Sequence, residues 1–200
     1  MIKNNTESMP TSAEFDPLAA ELLQSVVDVA RAIFGAQASS VFLLDEEAHE
    51  LVFQTVSGQG ESVLVGRRFP AGSGIAGWVV ASGEPMVVND LANNGAFDRD
   101  LAKATQYMPN SLMAVPLTHG DRMLGVLEVL DPVPQSRASL SELDLLALFA
   151  RQASAALRVI IERYPPGGAR RAGTGLDRDG TANALHLVES LQRLLQTSVV

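Results

Sequence analysis

Residues 69–90, FPAGSGIAGWVVASGEPMVVND, leave a chain few ways to fold. Gly72, Gly74 and Gly77 spell G-x-G-x-x-G, the spacing of a dinucleotide-binding loop. That reading needs a buried strand before the loop and a long helix after it, inside a parallel βαβ unit. Here Arg67, Arg68 and Pro70 precede the glycines, and Gly83 with Pro85 stops any helix from Gly74 after about two turns. The residues instead predict a loop, a short helix over 74–82 and a short strand over 86–88. Ile75, Val79 and the Trp78 ring give that helix an apolar side, while Ala76 and Gly77 keep it thin enough for close backbone approach. Such a helix must lie on something.

The flanking sequence supplies a sheet and two long helices. Residues 1–15 are polar and irregular and read as a disordered tail. Asp16 and Pro17 form a helix start, and Leu18, Leu22, Val26, Val29 and Ile33 then share one face, with Leu23, Val27, Ala30 and Phe34 beside it. Residues 40–45 and 50–56 predict an antiparallel hairpin, since so short a connection cannot make a parallel crossover. A short third strand is expected over 62–65. Residues 89–110 lack periodicity, apart from a short helix within 97–107, and a stretch like that inside a domain usually serves a site or stays mobile. Strands over 111–118 and 122–130 follow, with Pro116 expected at an edge or a bulge. Ser139 and Glu142 form a capping box that opens a helix to Arg163. Its residues Leu143, Leu146, Ala150, Ala153, Leu157 and Ile160 have the seam spacing of a coiled coil. Pro165, Pro166, Gly167 and Gly168 begin a linker over 165–181, and 182–200 carries an amphipathic helix. The domain therefore spans 16–164.

Three blocks in register, GSGIAGWVVASGEPMVVND from Gly72, SLMAVPL from Ser111 and GVLEV from Gly125, resemble the signature of the GAF domain family. The resemblance implies an α/β fold of the mixed, α+β kind, GAF- or PAS-like. Its central antiparallel sheet would have about five or six strands, with the terminal helices on one face and a loop and short-helix cup on the other. It also implies a small-molecule site in the cup, formed by Trp78, Asn89, Asp90, Asn94, Phe97, Asp98, Tyr107, Ser111 and Met113. Members that bind cyclic nucleotides carry Asn-Lys, a spacer, Phe, three residues and Asp-Glu. Asn93, Asn94, Phe97, Asp98 and Asp100 echo that pattern without its lysine or its Asp-Glu pair, so a cyclic nucleotide has an incomplete signature here. Bilin-binding members attach the pigment through a cysteine, and the methionine sulfoxide reductase members also depend on cysteines. This chain has none.

Composition narrows the function further. Two hundred residues, 46% hydrophobic, can bury a full core without staples. The net charge of −8 argues against nucleic acid, whose phosphates need clustered Lys and Arg. No apolar run reaches the length of a membrane span or the pattern of a signal peptide, which reads as a cytoplasmic protein without a membrane partner. His49, His119 and His186 stand apart in two turns and the tail helix, which places no metal ligand set and argues against haem. Ser73 has no histidine to activate it, so no catalytic residue is expected. The chain reads as a non-enzymatic sensory module that binds a small cytosolic ligand, forms a homodimer through its terminal helices and signals to a protein partner. The alternative is a ligand-free dimerisation or scaffold module of a signalling complex.

Overall fold

In the computed structural model, which describes residues 17–134 and 141–163, the chain enters through helix α1 (Pro17–Phe34). Proline suits the first helical position, where the N–H has no helical partner to lose. Leu22, Val26 and Val29 are buried, and so are Leu23, Val27, Ala30 and Phe34. Strands β1 (Ala38–Asp45) and β2 (Glu50–Gly58) form the antiparallel hairpin, with Asp45 opposite Glu50. The Asp45 carboxylate closes the turn by accepting from the Ala48 N–H at 3.0 Å and from Arg68 Nη1 at 2.8 Å. Burial alone would raise the Asp45 carboxyl, but Arg68 and the turn N–H groups hold it below the usual carboxylate range.

Residues 62–65 do not form a strand. Gly60, at φ 86°, turns the chain out of β2, and helix α2 (Glu61–Leu64) follows, pinned by buried Leu64. The third strand is β3 (Arg68–Pro70), paired with β2 just before the glycine loop. Helix α3 (Gly74–Ser82) ends where expected, with Gly83 at φ 71° and its N–H donating to the Val79 carbonyl. Strand β4 (Met86–Val88), a 3-10 turn (Leu91–Asn93) and helix α4 (Arg99–Ala104) lead to β5 (Leu112–His119) and β6 (Arg122–Leu130). The sheet order is β3-β2-β1-β6-β5-β4, and each neighbouring pair is antiparallel. A dinucleotide fold is thereby excluded. The glycines serve local packing instead, since a Cβ on Gly77 would come within 2.5 Å of the Gly72 carbonyl carbon.

Alternation along β6 divides the core in two. Leu127 and Val129 pack with Val41, Met113 and Val115 against α1 and against α5 (Glu142–Arg163). Val126 and Leu130 face the other way, towards Phe42, Phe53, Leu112 and the α3 residues Ile75 and Val79. Because β6 is covered on both faces, it reads from Met123 onward as one continuous apolar run except at Glu128. Pro116 lies beyond the end of β4, which stops opposite Ala114, and one residue before a bulge in β5. Its missing N–H costs no ladder bond to a neighbouring strand on that side.

Helix α5 departs from the expected start. Ser141 is the cap, its hydroxyl accepting from the Asp144 N–H at 3.1 Å and donating to the Asp144 carboxylate at 2.6 Å. Leu146, Ala150, Ala153 and Leu157, the seam that the spacing offered to a second copy, are buried against the sheet of the same chain. These four are thus spent inside the protomer, and among the described side chains of α5 the large apolar residue left exposed is Leu148, at 39%. Asp16, Ser139, the 1–15 tail, the 165–181 linker and the 182–200 helix lie outside the described residues.

Candidate functional site

On the face opposite α1 and α5, the sheet does not close against its cover. A cavity of about 220 Å³ remains between β1, β2 and β6 on one side and α3, α4 and residues 97–109 on the other. Its floor is aromatic: Phe42, Phe53 and Phe69 come together from three strands, with ring centroids 4.2 Å, 5.5 Å and 5.7 Å apart. Ser73, Gly74, Ile75 and Ala76 at the start of α3 form another wall. The thin profile of that helix lets the backbone itself reach the cavity.

The one acid in the apolar run of β6, Glu128, projects into this space. Its register neighbours are Ser40 on β1 and Ala114 on β5, neither of them charged. Glu128 is 7% exposed, and among the described residues no hydrogen bond or ion pair reaches its carboxyl. Burial pushes that carboxyl up from 4.5 to about 8, so it carries its proton at neutral pH. An unsatisfied buried polar side chain is rare in folded proteins and calls for an explanation.

The cover is tied down at its far end by Asp131. Its carboxylate accepts from the Asn110 and Ser111 N–H groups, each at 2.8 Å, from the Ser111 hydroxyl at 3.2 Å, and from the Tyr107 hydroxyl. Burial together with Asp131 pushes the Tyr107 phenol up, so it remains a donor at any physiological pH. Tyr107 is therefore wall and latch at once: one side faces the cavity, and its hydroxyl holds the loop to the end of β6.

The nine residues implied by the resemblance fall into separate places. Phe97, Asp98 and Tyr107 line the cavity. Ser111 is held by Asp131. Asp90 caps the 3-10 turn through the Asn93 N–H at 3.2 Å, and Asn94 accepts from the Ala96 N–H at 2.9 Å, so both shape the loop. Asn89 is exposed beside them, and Trp78, 43% exposed, lies on the outer side of α3. Met113 faces α5 from the opposite side of the sheet, because odd-numbered residues of β5 point that way. Glu128 was passed over in the sequence. Its signal was there: an acid alone in a run of apolar residues, at a parity shared with Val126 and Leu130. Among the described residues, no cluster of three or more His, Cys, Asp or Glu could hold a metal ion, and no helix is long and apolar enough to cross a membrane.

Comparisons with known proteins agree with this architecture. The cone cGMP-specific 3',5'-cyclic phosphodiesterase subunit alpha' of Gallus gallus is 31% identical over 90 residues, which are 45% of this chain and 10% of that protein. The chain thus spans about a tenth of the length of the phosphodiesterase subunits it matches. Among solved structures, the GAF domain of a phosphoenolpyruvate-protein phosphotransferase from Coxiella burnetii superposes with a TM-score of 0.64 at 22% identity, over 74% of this chain and 88% of that one. A free methionine-R-sulfoxide reductase from Neisseria meningitidis, solved with its substrate, gives a TM-score of 0.53 at 26% identity, over 76% and 81% of the two chains. The family profile described as GAF domain matches residues 19–157, from the start of α1 to the last buried leucine of α5. A sheet with terminal helices on one face and a loop-covered cavity on the other is therefore that of a relative, and this chain belongs to the GAF domain family.

Proposed function

We propose that this chain is a non-enzymatic sensory module: a small cytosolic ligand enters the cavity, and α1 and α5 carry the change to a second copy and to a signalling partner. The observation that carries the reading is the Glu128 carboxyl, buried without a partner in the wall of an apolar cavity. Leaving a polar group so costs about 1–3 kcal/mol, and a ligand that bonds to it recovers that cost. Phe97, Asp98 and Tyr107 join Glu128 and the three floor phenylalanines as the proposed contacts.

Two features support transmission. Residues 97–109 form the cover, held by the Tyr107 hydroxyl bond to Asp131, and a response requires that a ligand bind the latched and unlatched cover with different affinity. Val56 lines the cavity, while its neighbours Thr55 and Ser57 bond to α1: the Thr55 hydroxyl donates to Gln24, and Arg31 Nε donates to the Ser57 hydroxyl at 3.0 Å. A push on β2 therefore reaches α1 directly. We assign the domain to 16–164, with 165–181 as its linker and 182–200 as a C-terminal amphipathic helix. Exposed Leu148 and partly buried Leu145 and Phe149 on α5 supply the apolar surface of the homodimer.

Native mass spectrometry of the protein purified from its own cells tests the reading. The expected result is a dimer with one adduct of constant mass per chain. A bare chain mass, with no thermal shift from a metabolite collection, would refute ligand sensing in favour of a ligand-free scaffold.

A further inference from the structure

Building on the ligand-binding reading above, we infer that the cavity takes a small primary amine with an aromatic or apolar body, its ammonium group paired with the Glu128 carboxylate. Charge points first to a cation. The ionisable side chains in the wall are Glu128, Asp98 and Tyr107, and no Lys, Arg or His is among them. An anion would find only the backbone at the start of α3, equivalent to about half a positive charge, while facing a carboxyl group across the same space. An ammonium group would find a carboxyl, only 7% exposed, that its own charge can convert to the anion, and burial leaves the attraction between the two little screened.

Size and shape choose the body. A cavity of about 150 Å³ is enough for benzene, and drug-sized ligands occupy about 300–1,000 Å³. The 220 Å³ here suits one ring and a short arm. Phe42, Phe53 and Phe69, tilted and edge-on to one another, form an apolar aromatic floor against which such a ring can pack.

Pairing has a proton balance that can be measured. With the cavity unfilled the Glu128 carboxyl keeps its proton up to about pH 8, because burial disfavours the anion. An ammonium group beside it favours the anion. The protonated carboxyl and the ammonium ion then give an ion pair and one free proton, with no other bond made or broken. The Tyr107 phenol is committed to Asp131, so Glu128 is the group that releases it.

The experiment is calorimetric titration of the full chain with four probes: 2-phenylethylamine, 2-phenylethanol, 3-phenylpropanoate and cyclic GMP. Around pH 7 the amine should bind at least about tenfold more tightly than the alcohol. Titrations in two buffers of different ionisation enthalpy should show release of about one proton per site with the amine and none with the alcohol. Glu128→Gln should cost the amine at least about tenfold in affinity, while the alcohol loses far less, and should abolish proton release. Amine and alcohol binding equally well without proton release would overturn the inference and leave the ligand-binding reading standing. Tighter binding of 3-phenylpropanoate or cyclic GMP would overturn it in favour of an anion site at α3. Should all four fail to bind, the amine inference is overturned with them, and the native mass spectrum alone then decides whether a ligand is held at all. The probe comparison on the unaltered chain decides the matter even if Glu128→Gln folds poorly.

Discussion

Replacing Glu128 by Gln keeps the side chain's size and polarity and removes its ability to ionise. In the unfolded chain this carboxyl loses its proton near 4.5, and in the folded one near 8. Below the lower value both states hold the proton, so the group contributes no pH dependence. Between the two values the unfolded chain releases a proton that the folded chain keeps, so stability falls as pH rises; above the upper value it falls no further. At about 1.4 kcal/mol for each pH unit, the whole interval is worth about 5 kcal/mol. The part between about pH 5 and about pH 8.5 is worth about 4 kcal/mol. Urea unfolding of both proteins at those two pH values measures it, and subtracting one protein from the other cancels the remaining carboxylates. The two proteins should be of similar stability at the lower pH, and the Gln form should be the more stable by about 4 kcal/mol at the higher. If the gap changes by less than about 1 kcal/mol, the carboxyl has water or a partner, and the reasoning built on its isolation fails.

Gly77→Ala forces a methyl group to within 2.5 Å of Gly72 and 2.8 Å of the Ala71 carbonyl oxygen, both backbone, so α3 must lift from the loop. A loss of about 2 kcal/mol or more in thermal or urea unfolding is expected, and a neutral substitution would show that the loop yields. Tyr107→Phe removes the hydroxyl bond to Asp131 while Asn110 and Ser111 still hold that carboxylate. Hydrogen exchange should quicken in residues 91–110 while global stability drops by only about 1 kcal/mol. Leu148→Glu changes a side chain that is 39% exposed, so it should convert the proposed homodimer to a folded monomer in light scattering. Leu157→Glu would instead unfold the chain, since Leu157 is fully buried within it, and a dimer that survives Leu148→Glu places the interface elsewhere.

Most of the elements could be read locally. Proline at position 17, the strips at Leu22 and Leu23, and the Gly83–Pro85 stop each act within one or two turns of helix, so neighbouring residues suffice to place α1 and the end of α3. Residues 62–65, within the described part, show where that ends: Ser-Val-Leu-Val suits a strand, but Gly60 turns the chain before it can pair, and Arg68–Pro70 takes the place beside β2. Local propensity ranks candidates for a strand, while hydrogen bonding to an existing edge selects one.

The site was less legible, because membership in a cavity is a property of faces brought together from distant segments. Phe97, Asp98 and Tyr107 reach the wall, whereas Asp90, Asn94 and Ser111 spend their hydrogen bonds on the loop itself, and Met113 sits one residue out of phase on β5. The spacing of the α5 seam marks an apolar strip, yet only the packed sheet decided that Leu146, Ala150, Ala153 and Leu157 face inward. Glu128 marks the division most sharply. Sequence alone established an acid in an apolar strand; its isolation, its raised proton affinity and its place opposite three phenylalanines follow from burial between layers, which no local pattern encodes.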